Sequence, residues 1–155
     1  HAEVVGLLGF AGPRGRVVTS PQDVDALPDD LGDVCFVSQT TQSEKLFEAT
    51  SSAIIRRYPN AIIFNTICNA TRNRQAEVEK LAQQCQMFVV VGSAASANTQ
   101  RLAQIAASLR PTVVVDSAAE LRAEDFEGVT EVALTAGAST PDFIIEAVAA
   151  RLASF

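Results

Sequence analysis

Short β-branched runs alternate with amphipathic stretches along this chain, and that alternation restricts its fold more than any other feature. Val17-Val18-Thr19, Val34-Cys35-Phe36-Val37, Ile62-Ile63-Phe64, Phe88 to Val91, Thr112 to Val115 and Val132-Ala133-Leu134 read as buried strands. Between them Val78, Leu81, Ala82 and Cys85 share one helical face, as do Leu102, Ile105, Ala106 and Leu109, and later Ile145, Val148 and Leu152. Apolar strands separated by helices belong in parallel sheets covered on both faces. The expected class is therefore α/β. The strands fall into two sets of about three, divided near Ile67. This predicts two small three-layer α/β/α units with mainly parallel sheets, residues 1–66 and 67–155.

Composition narrows the function. A net charge of −6 argues against a nucleic-acid partner, whose phosphates attract clustered Lys and Arg. The longest apolar runs, such as Met87-Phe88-Val89-Val90-Val91, are far too short to span a bilayer, and no signal peptide is recognised. Three cysteines without a repeated spacing predict reduced thiols and a cytoplasmic setting rather than a disulfide framework. The chain opens at His1 without Met and reads as a piece of a longer protein.

Four strands run into clusters of small polar residues: Ser38-Gln39-Thr40-Thr41, Gly92 to Asn98, Asp116-Ser117 and Thr135 to Thr140. In open parallel sheets ligands bind outside the carboxyl ends of strands, so these loops form one functional rim. Ser139-Thr140-Pro141-Asp142 reads as an N-cap followed by Pro in the first helical turn, and Ser96 with Asn98 stands at a similar helix start. Free N–H groups and the helix dipole favour an anion at such places, and Gly92 and Gly137 permit close backbone approach. Capping alone also explains Ser, Thr and Asn at any single loop. Neither a P-loop nor a G-x-G-x-x-G fingerprint is present.

Of the thiols, Cys35 in an apolar strand and Cys85 on an apolar helix face are expected in the core. Cys68 differs. Asn, Thr and Arg surround it and a helix follows, a setting that favours thiolate. His1 and Glu3 pair an imidazole with a carboxylate two residues away, suited to proton relay, although an N-terminal His on a frayed end fits the sequence as well.

Five ordered segments resemble the LytB/IspH family of hydroxymethylbutenyl diphosphate reductases, in its second half. The family's H-P-E-V-x-G is similar to His1-Ala2-Glu3-Val4-Val5-Gly6, and its T-Q-T-T to Ser38-Gln39-Thr40-Thr41. Its I-C-x-A-T-x-N-R-Q resembles Ile67 through Gln75 at every fixed position. Its V-V-G-S-x-x-S-S-N-x-x-R-L resembles Val90 through Leu102, and its T-A-G-A-S-x-P resembles Thr135 through Pro141.

That resemblance implies a cytoplasmic enzyme of three similar α/β units around a 4Fe-4S cluster held by three cysteines. The family reductively removes the hydroxyl of hydroxymethylbutenyl diphosphate, giving isopentenyl and dimethylallyl diphosphates in the non-mevalonate isoprenoid pathway, with a small redox protein as electron donor. By the same resemblance Cys68 is the third cluster ligand, Glu3 the acid that relays the proton, and Thr40 the hydroxyl near the substrate alcohol. His1, Ser96, Asn98 and Ser139 fall on diphosphate-binding positions, and Thr71 is a neighbouring candidate. Ala97 stands where the family has a second Ser, so only its backbone N–H can serve there. Ser38 and Ala2 replace Thr and Pro. The family's other two cluster cysteines and two substrate histidines lie upstream of the matched region, and neither Cys35 nor Cys85 corresponds to them.

The expectation is thus a truncated reductase comprising the family's second unit, lacking its first strand, and its third. Such a piece is expected to hold no stable cluster and to be inactive alone. Two other classes fit the loops: a metal-free binding domain for a phosphorylated metabolite, and a non-catalytic structural or interaction module.

Overall fold

Contacts along the chain part between Cys68 and Asn69 in the computed structural model, which describes residues 1–155. Each side forms its own unit around its own parallel sheet.

The first unit, His1–Cys68, contains α1 (Ala2–Ala11), β1 (Cys35–Phe36), α2 (Glu44–Arg57) and β2 (Ile62–Ile63), with 3-10 turns at Gly12–Arg14 and Pro21–Ala26. The strands β1 and β2 pair in parallel, Cys35 opposite Ile62 and Phe36 opposite Ile63. Side chains alternate across a strand. Phe36 and Ile63 accordingly face a core of Val24, Ala53, Ile54 and Tyr58, while Cys35 and Ile62 turn to the exposed side. Cys35 is therefore not a core residue as expected: its neighbour Phe36 takes the inward position, stacked 5.3 Å from Phe47. Ser43 caps α2, its hydroxyl accepting from the Leu46 N–H at 3.4 Å. At the other end of α2, Arg57 pairs with Asp29 at 2.8 Å and donates to the Leu27 carbonyl, which ties the preceding loop down.

Val17-Val18-Thr19 does not form the expected strand. The Asp23 carboxylate accepts the Thr19 N–H at 2.6 Å, the Thr19 hydroxyl at 2.7 Å and the Ser20 N–H at 3.0 Å. Those bonds take the Thr19 backbone out of any ladder and build a capping box on the Pro21–Ala26 turn. Bonding from Thr19 foremost also holds the Asp23 carboxyl below its ordinary value. Val18 still packs against the core, so the apolar signal was real and the strand assignment wrong.

The second unit, Asn69–Phe155, contains α3 (Asn69–Leu81), β3 (Met87–Val91), α4 (Ala97–Ala107), β4 (Thr112–Val115), β5 (Val132–Ala136) and α5 (Asp142–Leu152). Its sheet is parallel in the order β4-β3-β5, and every residue of the central β3 is buried. Alternation again sorts the side chains. Phe88 and Val90 meet Val78 and Ala82 beneath α3 and Leu102 and Ala106 of α4, with Cys85 buried among them as expected. Met87, Val89 and Val91 meet Val115, Leu121, Phe126 and Val148 on the α5 face. The result is three layers, each fully buried apolar side chain contributing roughly 1.5–3 kcal/mol. No helix of the chain is long and apolar enough to cross a membrane.

Candidate functional site

The polar loops of the first unit converge on Thr40. His1 caps α1, its Nδ1 accepting the Glu3 N–H at 3.2 Å, so the imidazole is fixed to the helix start rather than frayed. This bond leaves Nε2 as the ring nitrogen able to carry a proton outward. Glu3, in the first turn, reaches the loop after β1. Its carboxylate accepts the Thr40 N–H at 3.1 and 3.2 Å and the Thr40 hydroxyl at 3.3 Å. On its other side the Thr40 carbonyl accepts the Cys68 N–H at 3.0 Å. Thr40 thus joins the acid to the cysteine loop, and Cys68 is an exposed thiol at the last position of its unit.

A residue that sequence reasoning passed over holds this arrangement together. The Thr66 hydroxyl donates to the Ser38 carbonyl at 2.6 Å and accepts the Ser38 N–H at 2.9 Å, clamping the loop after β2 to the loop after β1. Asn65 shapes the same turn by accepting the Ile67 N–H at 3.0 Å. Spacing gives no sign of a bond between residues 28 apart; Thr66 beside the cysteine motif was the only hint.

In the second unit the loops after β3 and β5 meet at a topological switch point. The adjacent strands β3 and β5 are followed by helices on opposite faces, α4 with Leu102 in one core and α5 with Val148 in the other. Such a divergence opens a crevice at the carboxyl ends of the strands, where open α/β sheets bind ligands. Ser96 caps α4, its Oγ accepting the Thr99 N–H at 3.4 Å. Ala97 is half-buried in the first turn, and Asn98 is only 7% exposed with neither amide atom meeting a protein partner. A buried amide pays to be left unbonded, which is a mark of a polar group built for something else.

Across the crevice the Ser139-Thr140 turn departs from the expected cap. Pro141 occupies the N-cap position of α5 and no side chain bonds the first turn. Thr140 instead donates its hydroxyl to the Val91 carbonyl at 3.0 Å, an oxygen that also accepts the Gly137 N–H at 2.9 Å. Ser139 is exposed on this turn. Thr71 lies buried on α3. A cavity of about 340 Å³ in the same unit, lined by Arg74, Glu77, Asp142 and the end of β5, shares Gly137, Ala138 and Thr140 with the turn but none of Ser96, Ala97 and Asn98. The cavity is thus a neighbour of the polar loops and not their crevice.

The thiols do not make a cluster site by themselves. No three His, Cys, Asp or Glu side chains gather as a metal-binding group. Cys85 is sealed in the second core, and Cys35 stands on the outward face of β1. A three-thiolate cluster therefore does not fit the residues of this chain alone. Cys68 is the one thiol set in a polar loop at a strand end.

The family model described as LytB protein matches residues 1–153. The 4-hydroxy-3-methylbut-2-enyl diphosphate reductase of Opitutus terrae is 44% identical over 154 residues, covering 98% of this chain and 53% of that protein. The like-named protein of Aquifex aeolicus is 41% identical, again over 98% of this chain and 54% of its own length. Among solved structures, that of the E-1-hydroxy-2-methyl-but-2-enyl-4-diphosphate reductase from Plasmodium falciparum superposes with a TM-score of 0.87 at 29% identity, covering 94% of this chain and 47% of that one. A structure of (E)-4-hydroxy-3-methyl-but-2-enyl diphosphate reductase, the terminal enzyme of the non-mevalonate pathway, is 38% identical with a TM-score of 0.56. The chain spans about half the length of the curated relatives it matches. With the family model matching residues 1–153 and five motifs in order, this chain belongs to the LytB family.

Proposed function

We propose that this chain supplies about half of a 4-hydroxy-3-methylbut-2-enyl diphosphate reductase site, its two units being the family's second and third. The observation that carries the reading is the Thr40 junction, which holds the Glu3 carboxylate on one side and the Cys68 loop on the other. Replacing a C–OH bond by C–H consumes two electrons and two protons and releases water. Glu3 provides the proton that lets the hydroxyl depart as water, and Thr40 orients that hydroxyl through its own. Cys68 is one thiolate ligand of a 4Fe-4S cluster, which supplies an open iron position when bound, and its remaining ligands lie outside the three cysteines of this chain. Electrons come from a small redox protein. The setting is cytoplasmic.

At the other end of the substrate, Ser96, Asn98 and Ser139 donate to the diphosphate with help from the N–H groups that open α4, and His1 is a further diphosphate-binding residue by the family resemblance. Ala97 contributes through its backbone N–H, and Thr71, buried on α3, is a neighbouring substrate-binding candidate. Catalysis needs binding at this end to fix the hydroxyl at the other.

A chimera in which this chain replaces the segment it matches in the Opitutus terrae protein tests the reading. Asn98→Ala in that chimera is expected to raise the KM for the diphosphate substrate about 10- to 100-fold, as loss of hydrogen bonds to a charged group does, with a smaller change in kcat. An unchanged KM would remove Asn98 from the substrate site.

A further inference from the structure

Thr99 has no assigned role, yet it touches every loop of the crevice. It is 1% exposed, its N–H donates to Ser96 Oγ at 3.4 Å, and its Oγ1 meets no hydrogen-bond partner. That oxygen is instead wedged between two glycines. A methyl group built on Gly137 would stand 2.3 Å from Thr99 Oγ1, and one built on Gly92 would stand 2.8 Å from it. The Thr140 hydroxyl closes the same space, 2.7 Å from the methyl position of Gly92 and 3.3 Å from that of Gly137. Ordinary contacts between carbon atoms begin at about 3.5 Å. The loops after β3 and β5 are therefore in contact through atoms that admit nothing larger. Gly92 has a φ of 139° as well, a conformation that side chains rarely adopt.

A buried hydroxyl without a partner costs folding free energy that a valine methyl would avoid. A methyl is bulkier than the oxygen it would replace, and that oxygen already occupies the space a side chain on either glycine would need.

We infer that Thr99 is a positioning residue: its hydroxyl, seated against Gly92 and Gly137 and closed in by Thr140, sets the separation between the Ser96–Asn98 turn and the Gly137–Ser139 turn. The inference rests on the reading of those turns as a diphosphate site. Asn98 and Ser139 reach one ligand only while the two turns keep their spacing. Thr99 itself is too buried to touch that ligand.

The Opitutus terrae chimera carrying this chain, titrated with inorganic diphosphate in a calorimeter well below its melting temperature, tests this. Thr99→Ser keeps the oxygen and is expected to bind within about twofold of the unsubstituted chimera, whereas Thr99→Val is expected to bind about tenfold or more weakly. Thr99→Ala adds no bulk and therefore folds even where the valine variant does not; it is expected to bind about three- to tenfold more weakly, the wedge being gone. A purely structural Thr99 would lower the melting temperature and leave these affinities equal. Equal affinity for the alanine and unsubstituted chimeras, with Asn98→Ala still weakening binding, would overturn the role of Thr99 alone. No binding by the unsubstituted chimera would overturn the diphosphate reading and this inference with it.

Discussion

Cys68→Ala in the Opitutus terrae chimera is expected to abolish the cluster-derived visible absorbance and, with it, all reductase turnover. A cluster ligand must be a deprotonated donor, and alanine offers none. The loop itself should survive, because its anchors are the Cys68 backbone N–H on the Thr40 carbonyl and the Thr66 clamp, not the thiol. Cys85 cannot substitute, being packed among Val78, Phe88 and Leu102. Cys35→Ala provides the contrast: this thiol is exposed on β1, and its loss should leave absorbance and turnover close to those of the unsubstituted chimera. Iron and sulfide content measured beside the spectrum checks both variants. A Cys68→Ala chimera that kept its full complement of iron would take Cys68 out of the ligand set.

Glu3→Gln should separate proton supply from assembly. The amide oxygen of glutamine can still accept the Thr40 N–H that the carboxylate now accepts at 3.1 Å, so the junction between α1 and the loop after β1 is kept. What disappears is the acidic proton. Removing a positioned general acid costs about 10²–10⁴-fold in kcat, and substrate affinity should change little because Glu3 is not among the residues proposed to hold the diphosphate. The expected variant is therefore coloured, binds substrate and turns over slowly. Thr40→Val should retain more activity, since it deletes one 3.3 Å hydroxyl bond and leaves the backbone N–H in place. A Glu3→Gln chimera with unchanged turnover would assign the proton to another group.

The parts legible in the sequence are those where local pattern and tertiary environment agree. Met87–Val91 is apolar throughout and is buried throughout, and the 3.6-residue spacing of Val78, Ala82 and Cys85 matches the face that meets it. Ser96 was readable as a cap because capping is a local geometry. Three features failed because something other than the local composition decided the outcome. Val17-Val18-Thr19 has the composition of a strand, but Asp23 claims the Thr19 backbone. Cys35 sits in an apolar run, yet Phe36 takes the inward side and leaves Cys35 outside. Thr140 has the chemistry of a cap, but the Val91 carbonyl, 49 residues away, holds its hydroxyl.

The candidate site was legible only through motifs taken together. Glu3, Thr40 and Cys68 are separated by long stretches of chain, and no spacing rule connects them; parallel pairing of β1 with β2 puts the loops after the two strands side by side. In the same way the pairing of β3 with β5 brings Gly92 near Gly137, and only then does Thr99 acquire its place between them. The glycines signalled close approach in the sequence, but nothing there said what approached.

If these residues serve as the matching half of a working reductase, the purified, anaerobically reconstituted chimera converts hydroxymethylbutenyl diphosphate to isopentenyl and dimethylallyl diphosphates at a measurable rate. Turnover within about tenfold of the Opitutus terrae enzyme is expected, a loss no larger than a slightly misplaced but intact site would cause. A chimera that is folded and loaded with iron and sulfide, yet forms neither product, would contradict it.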